Sequence, residues 1–176
     1  MKNSYLWIVF LFCLGCTKIV PRKPINPSPS TTIYKETIDQ AKLLNAIEDE
    51  KIRQFIKNDS TKIYTQSSKG FWYTYLHKVE ENLPTPVKGN EVTFTYNIKD
   101  LNDSIIYSRK DLGMKSYVVD KEDFISGLQK GIKLMKIGET ITFVIPSYSA
   151  FGITGDGDRI GINQSIISSV TLINIK

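Results

Sequence analysis

The sequence is sparing with the side chains that most often carry chemistry. Its 176 residues hold one histidine, His77, and two cysteines, Cys13 and Cys16. Both cysteines fall near the start of the chain, so no disulfide framework staples the remainder. His77 stands alone near a strand end and reads as a surface or rim residue, not as a ligand or base. The apolar run Leu6–Leu14 falls short of the roughly 20 residues that a spanning helix needs. Charge is not concentrated either. Twenty-three Lys and Arg against 18 Asp and Glu leave a net charge of +5, spread without a dense basic block. That distribution argues against a nucleic-acid partner. The glycine-rich stretch Gly152-Ile153-Thr154-Gly155-Asp156-Gly157 lacks the Lys-Ser/Thr that opens a helix in a phosphate loop. Asp156 and Asp158 flank a glycine but supply too few oxygens for calcium. No metal or cofactor is expected.

What is present begins with a targeting segment. Lys2 gives a positive start, Leu6–Leu14 an apolar run, and Leu14-Gly15-Cys16 a small residue before a cysteine. This resembles a bacterial lipoprotein cleavage box, which implies removal of residues 1–15 as a signal peptide and a lipid on the Cys16 thiol. An ordinary secretory signal or an uncleaved anchor is the other reading. Pro21, Pro24, Pro27 and Pro29 follow within nine positions and block helix and sheet pairing. Residues 16–35 are therefore expected to be an extended, water-exposed tether. Thr17, a non-acidic residue after the cysteine, points to the outer membrane, facing the periplasm.

Residues 36–60 are expected to hold an amphipathic helix, with helical periodicity over 36–58. Ile38, Ala41, Leu44 or Ile47, Ile52 and Phe55 recur at three- and four-residue spacing, and Glu48, Asp49, Glu50, Lys51, Arg53 and Lys57 fill much of the remainder. The apolar stripe needs a cover: the domain that follows, a second copy of the helix, or a partner. The period then changes to two. Phe71, Tyr73 and Tyr75 alternate with Trp72, Thr74 and Leu76, and Val92, Phe94, Tyr96 and Ile98 alternate with polar residues. Such aromatics serve sheet packing before they serve a binding platform. Phe124–Met135 reads as a short helix despite Gly127 and Gly131, which suit a backbone lying close to a sheet. Ile141, Phe143 and Ile145, a long loop over 146–165, and a last strand Ile166–Ile175 complete the chain. The fold class expected is α+β: a curled antiparallel sheet of about five strands wrapped on one short helix, with an N-terminal helical extension.

Three blocks within residues 61–176 carry a more specific pattern. Gly89-Asn90-Glu91-Val92-Thr93-Phe94-Thr95-Tyr96 is a turn and strand. Phe124-Ile125, Gly127-Leu128, Gly131, Met135 and Gly138-Glu139 have helix-signature spacing. Ile145-Pro146 with Ala150-Phe151-Gly152 is a strand-to-loop passage. Together they resemble the FK506-binding-type (FKBP) peptidyl-prolyl isomerase domain. With the lipoprotein box, the tether and the helix, the whole is similar to the gliding-motility-associated lipoprotein isomerases of the Bacteroidota. The resemblance implies a hydrophobic cup that takes proline-containing polypeptides and needs no acid, base or metal. Carried over by position, the cup would comprise Tyr96, Phe124, Ile125, Leu128, Phe151 and Ile160, with the Ile125 backbone N–H offered to a ligand carbonyl.

The same comparison marks departures. Leu128 stands where the family has tryptophan, and Phe151 keeps the ring of the usual tyrosine without its hydroxyl. The family's pocket aspartate falls at or next to Tyr107, its strand aromatic near Lys115, and its final-strand aromatic at Ser168. Tyr96, Phe124, Leu128 and Ile132 would serve equally as plain core. Two functions follow. One is a membrane-tethered isomerase that assists folding of exported or envelope proteins. The other is a non-catalytic peptide-binding scaffold lipoprotein of an envelope machine, holding a partner, or a second copy, through the cup or helix 36–58.

Overall fold

The computed structural model describes residues 31–176; the expected signal peptide, Cys16 and most of the proline tether lie outside the described residues. Helix α1 spans Thr31–Asn58. Three strands follow, β1 (Thr65–Ser67), β2 (Phe71–His77) and β3 (Glu91–Tyr96), then β4 (Ile98–Lys99), β5 (Ile105–Tyr107), helix α2 (Arg109–Leu112) and β6 (Met114–Val118). Helix α3 (Ser126–Ile132), β7 (Thr140–Ile145), a 3₁₀ turn (Ser147–Ser149) and β8 (Ile166–Ile175) complete the order. The packing described below belongs to the compact unit Ile38–Lys176.

All strand pairs are antiparallel, in the order β1-β2-β7-β8-β3-β6, with β4 paired to β8 and β5. The sheet thus has eight strands where about five were expected. The extra ones are short. β1 folds back on β2 through Gly70, which takes φ +83°. Asn97 breaks the long strand in two, which separates β4 from β3. His77 is exposed at the bulged end of β2.

Alternation gives the sheet two buried faces. Phe71, Val92, Phe94, Tyr96, Ile141, Phe143 and Ile145 point to one side, where they meet Leu128 and Ile132 of α3. Side chains one residue out of phase point to the other. There Trp72, Val144 and Ile167 form a row across β2, β7 and β8, in direct register. Burying both faces is what turns a half-polar pattern into two cores sharing one sheet.

The α3 glycines explain how the first face closes. A Cβ added to Gly131 would lie 2.6 Å from Cε1 of Phe143, and one on Gly127 would lie 2.5 Å from Cγ2 of Ile145. Phe143 and Ile145 are wholly buried, so neither can move aside freely. Gly131→Ala would gain about 1 kcal/mol of helix propensity and lose roughly 1–3 kcal/mol to overpacking. The clash should win. A chemical denaturation midpoint equal to or above wild type would refute this.

The second face is covered by α1. Ile52 is fully buried against Trp72, Val144 and Ile167, with Phe55 and Ile56 alongside. The expected apolar stripe is only half used. Ile52 and Phe55 are covered, whereas Ile38, Ala41, Leu44 and Ile47 are exposed. Only the C-terminal part of α1 reaches the sheet. Glu48, which the periodicity assigns to the polar face, is instead 9% exposed.

Candidate active site

A concave cup of about 470 Å³ opens where β3, β4, β5, α2 and the start of α3 meet the loop after β7. Its walls are Tyr96, Ile98, Tyr107, Leu112, Phe124, Ile125, Ala150 and Phe151, with the carboxylates of Asp123 and Asp156 at the lining. Each wall has a local cause. Tyr96 is the last residue of β3, in phase with buried Val92 and Phe94. Leu112 ends α2, a single turn built by a reciprocal cap between Ser108 and Asp111. That turn is anchored by Arg109, whose guanidinium donates to the Thr95 and Thr171 hydroxyls at 2.9 and 3.0 Å and to the Ser169 carbonyl at 3.1 Å.

Phe124 is the centre of the aromatic wall. Its ring lies 5.6 Å from Phe94, 5.6 Å from Tyr96 at 84°, and 5.7 Å from Tyr117. These are the tilted and edge-on geometries that aromatic pairs prefer. Lys115 places its ammonium 5.9 Å from the Phe124 ring centre. Lys115 thus supplies a cation at the wall, and Tyr117 packs against the same ring.

Polar groups in the cup are few. Tyr96 is 7% exposed, and burial pushes its phenol pKa up, so the group stays protonated. Among the described residues nothing takes a hydrogen bond from the Tyr96 hydroxyl. The same holds for the backbone N–H of Ile125, which lines the cup beside it. Tyr107 differs. Its hydroxyl lies 2.6 Å from Asp156 Oδ2 and 3.1 Å from Asp158 Oδ2. The bond to Asp156 first, then burial, raises its pKa to about 12. Burial alone would push the Asp156 carboxyl up. The Tyr107 hydroxyl and the N–H groups of Asp158 and Ile160 outweigh it and hold the carboxyl below the usual range. Arg159 stacks 4.9 Å from the Tyr107 ring centre and donates to the Ile106 carbonyl at 3.2 Å. The rim is thus a tyrosine–carboxylate–arginine bridge joining β5 to the loop.

Of the six expected cup residues, Tyr96, Phe124, Ile125 and Phe151 share one concavity. Leu128 and Ile160 do not line it. Leu128 is fully buried and Ile160 is 3% exposed, both within the core. Ser168 does not line the cup either. Its hydroxyl donates at 2.7 Å to the Asn97 carbonyl, satisfying the backbone at the break between β3 and β4. Sequence reasoning missed Ile98, Leu112, Asp123, Ala150 and Asp156. Asp156 had a signal, the Asp-Gly-Asp turn, but its partner Tyr107 lies 49 residues away.

Residues 83–173 match the family described as FKBP-type peptidyl-prolyl cis-trans isomerase. A curated relative, a probable FKBP-type peptidyl-prolyl cis-trans isomerase FkpA of Neisseria meningitidis serogroup B (strain ATCC BAA-335 / MC58), is 31% identical over 128 residues. The match covers 72% of this chain and 46% of the relative, so the chain spans about half the relative's length. A crystal structure of a peptidyl-prolyl cis-trans isomerase from Pseudomonas syringae pv. tomato str. DC3000 is similar with a TM-score of 0.59 at 23% identity. It covers 74% of this chain and 94% of that one, and the likeness speaks to the fold. With the family's pattern running over just more than half of its length, the chain belongs to the FKBP-type peptidyl-prolyl cis-trans isomerases.

Proposed function

We propose that this protein is a prolyl cis–trans isomerase that assists the folding of exported or envelope polypeptides from a lipid anchor. The observation that carries the activity is the cup: apolar on most sides, with two unclaimed donors, the Tyr96 hydroxyl and the Ile125 N–H. Rotation about an amide costs about 20 kcal/mol because conjugation is lost. The twisted amide carries less charge separation than either planar form. A dry, aromatic-walled cavity therefore penalises the twisted form least and lowers the barrier. The Ile125 N–H would hold a carbonyl of the flanking peptide, and no proton needs to move. Uncatalysed X-Pro exchange takes tens to hundreds of seconds, slow enough to limit folding.

The test is a protease-free isomerisation assay with a proline tetrapeptide, using the chain without residues 1–16. A rate equal to buffer from a folded sample would overturn the enzyme reading and favour the peptide-binding alternative. Tyr96→Phe isolates the free phenol. With Phe151 lacking a hydroxyl, Tyr96 is the phenol donor still open to a ligand, and its loss should lower kcat/KM by up to about tenfold. Unchanged kcat/KM would assign the hydroxyl no role.

The anchor rests on Leu14-Gly15-Cys16, and the proline-rich segment after it would hold the folded part clear of the bilayer. The location proposed is the outer membrane, facing the periplasm, in an envelope of the gliding type. The exposed part of the α1 stripe, Ile38, Leu44 and Ile47, fits self-association or an envelope partner. Cys16→Ser should abolish labelling by radioactive palmitate and leave residues 1–15 attached, which a slower-migrating band would show. Retained labelling would exclude Cys16 as the lipidated residue.

A further inference from the structure

The loop 146–165 supplies Ala150, Phe151 and Asp156 to the cup and Ile160 to the core beneath it. A loop this long carries a large closure entropy and is held in one shape only by specific contacts. Both of its stems are tied to one side chain outside the loop. Glu48 of α1 accepts the Ser147 N–H through Oε1 at 2.7 Å and the Ser147 hydroxyl through Oε2 at 2.9 Å. The Ser165 hydroxyl, at the other stem, also donates to Glu48 Oε1. Ser147 and Ser165 are 3% and 5% exposed, so water does not readily replace the carboxylate. Beside it, the Tyr148 hydroxyl donates to Asp49 at 3.1 Å.

We propose that Glu48 is a positioning residue for the cup, clasping the two stems of the loop that carries Phe151 and so holding that ring at the cavity it lines with Phe124. Helix α1 is then a working part of the site and not a spacer between tether and domain. In terms of activity the proposal rests on the isomerase reading; the clasp itself does not. Ile52 and its apolar neighbours keep the helix on the sheet whether or not Glu48 is present, so helix docking and loop positioning are separable.

The experiment compares Glu48→Ala, Glu48→Gln and Ser165→Ala in the chain without residues 1–16, by amide hydrogen exchange and by the isomerisation assay. Glu48→Ala leaves three buried donors unpaired. It should speed exchange at Gly152, Ile160 and Asn163 about tenfold and lower kcat/KM by a similar factor, with Phe94 and Val170 amides unchanged. Glu48→Gln should recover most of both, because its carbonyl still accepts from Ser147 and Ser165 and its amide can donate to the Ser147 hydroxyl. Ser165→Ala frees one stem only and gives a smaller effect of the same pattern, should Glu48→Ala not fold. Uniform acceleration across loop and sheet would mean a merely structural residue and would overturn the proposal. So would unchanged exchange in the loop. If the unaltered protein shows no isomerisation, the enzyme reading fails while the exchange pattern still decides the clasp.

Discussion

Phe124→Ala is expected to lower kcat/KM for proline-peptide isomerisation by about a hundredfold while the chain stays folded. Phe124 is half-buried, so truncation exposes the cup more than it hollows the core. What disappears is the ring that touches Phe94, Tyr96 and Tyr117 at once and faces the ligand space. Without it Tyr96 loses its edge-on partner and keeps its tilted contact with Phe94, and water reaches the place where the twisted amide would sit. Phe124→Leu should retain part of the rate, since an apolar wall remains. Activity within threefold of wild type in the alanine variant would mean that the reacting amide binds elsewhere. Near-ultraviolet circular dichroism separates loss of the wall from loss of the fold.

Ile52→Ala should be costly although it lies outside the cup. Ile52 is fully buried in the small cluster with Trp72, Val144 and Ile167. Removing its outer carbons costs about 3 kcal/mol, a fall of roughly 10 °C in Tm. In the chain without residues 1–16, Trp72 is the sole tryptophan. Its emission should therefore shift to the red as the helix loosens, giving a signal that belongs to this face alone. A Tm and an emission maximum both equal to wild type would show that α1 does not hold the outer core.

Much of the fold could be read from period. Alternation located β2, β3 and β7, and the spacing of Leu128 and Ile132 with two glycines located α3 and its close approach to the sheet. The failures share a cause. Glu48 is charged and sits in a run of charges, so local pattern puts it in water; its partners, Ser147 and Ser165, lie about a hundred residues on. Ile38, Leu44 and Ile47 have the right spacing for burial, but periodicity says which face is apolar, not how much of it meets a sheet. In the site, the aromatic wall was legible because Tyr96 and Phe124 lie in strong blocks. Ile98, Leu112 and Asp156 were not, because they come from a strand break, a four-residue helix and a loop, where position in space depends on long-range contacts. Leu128 was placed at the cup by resemblance, and it lies fully buried in the core cluster with Ile132.

The outer strands of the sheet bear on the company this protein keeps. On the proposed reading it works among unfolded chains, which seek any free strand edge to pair with. β1 ends the main path and is three residues long; β6, at the other end, has five. β5, on the side branch, has three. β6, exposed over Met114–Ser116, carries Lys115, and Asp120, Lys121, Glu122 and Asp123 follow after Val119. Short edges and charge next to them disfavour strand addition. A client can then enter the cup as a proline-bearing segment without templating onto the enzyme's own sheet, so that catalysis and resistance to co-aggregation are served by different surfaces of one small domain.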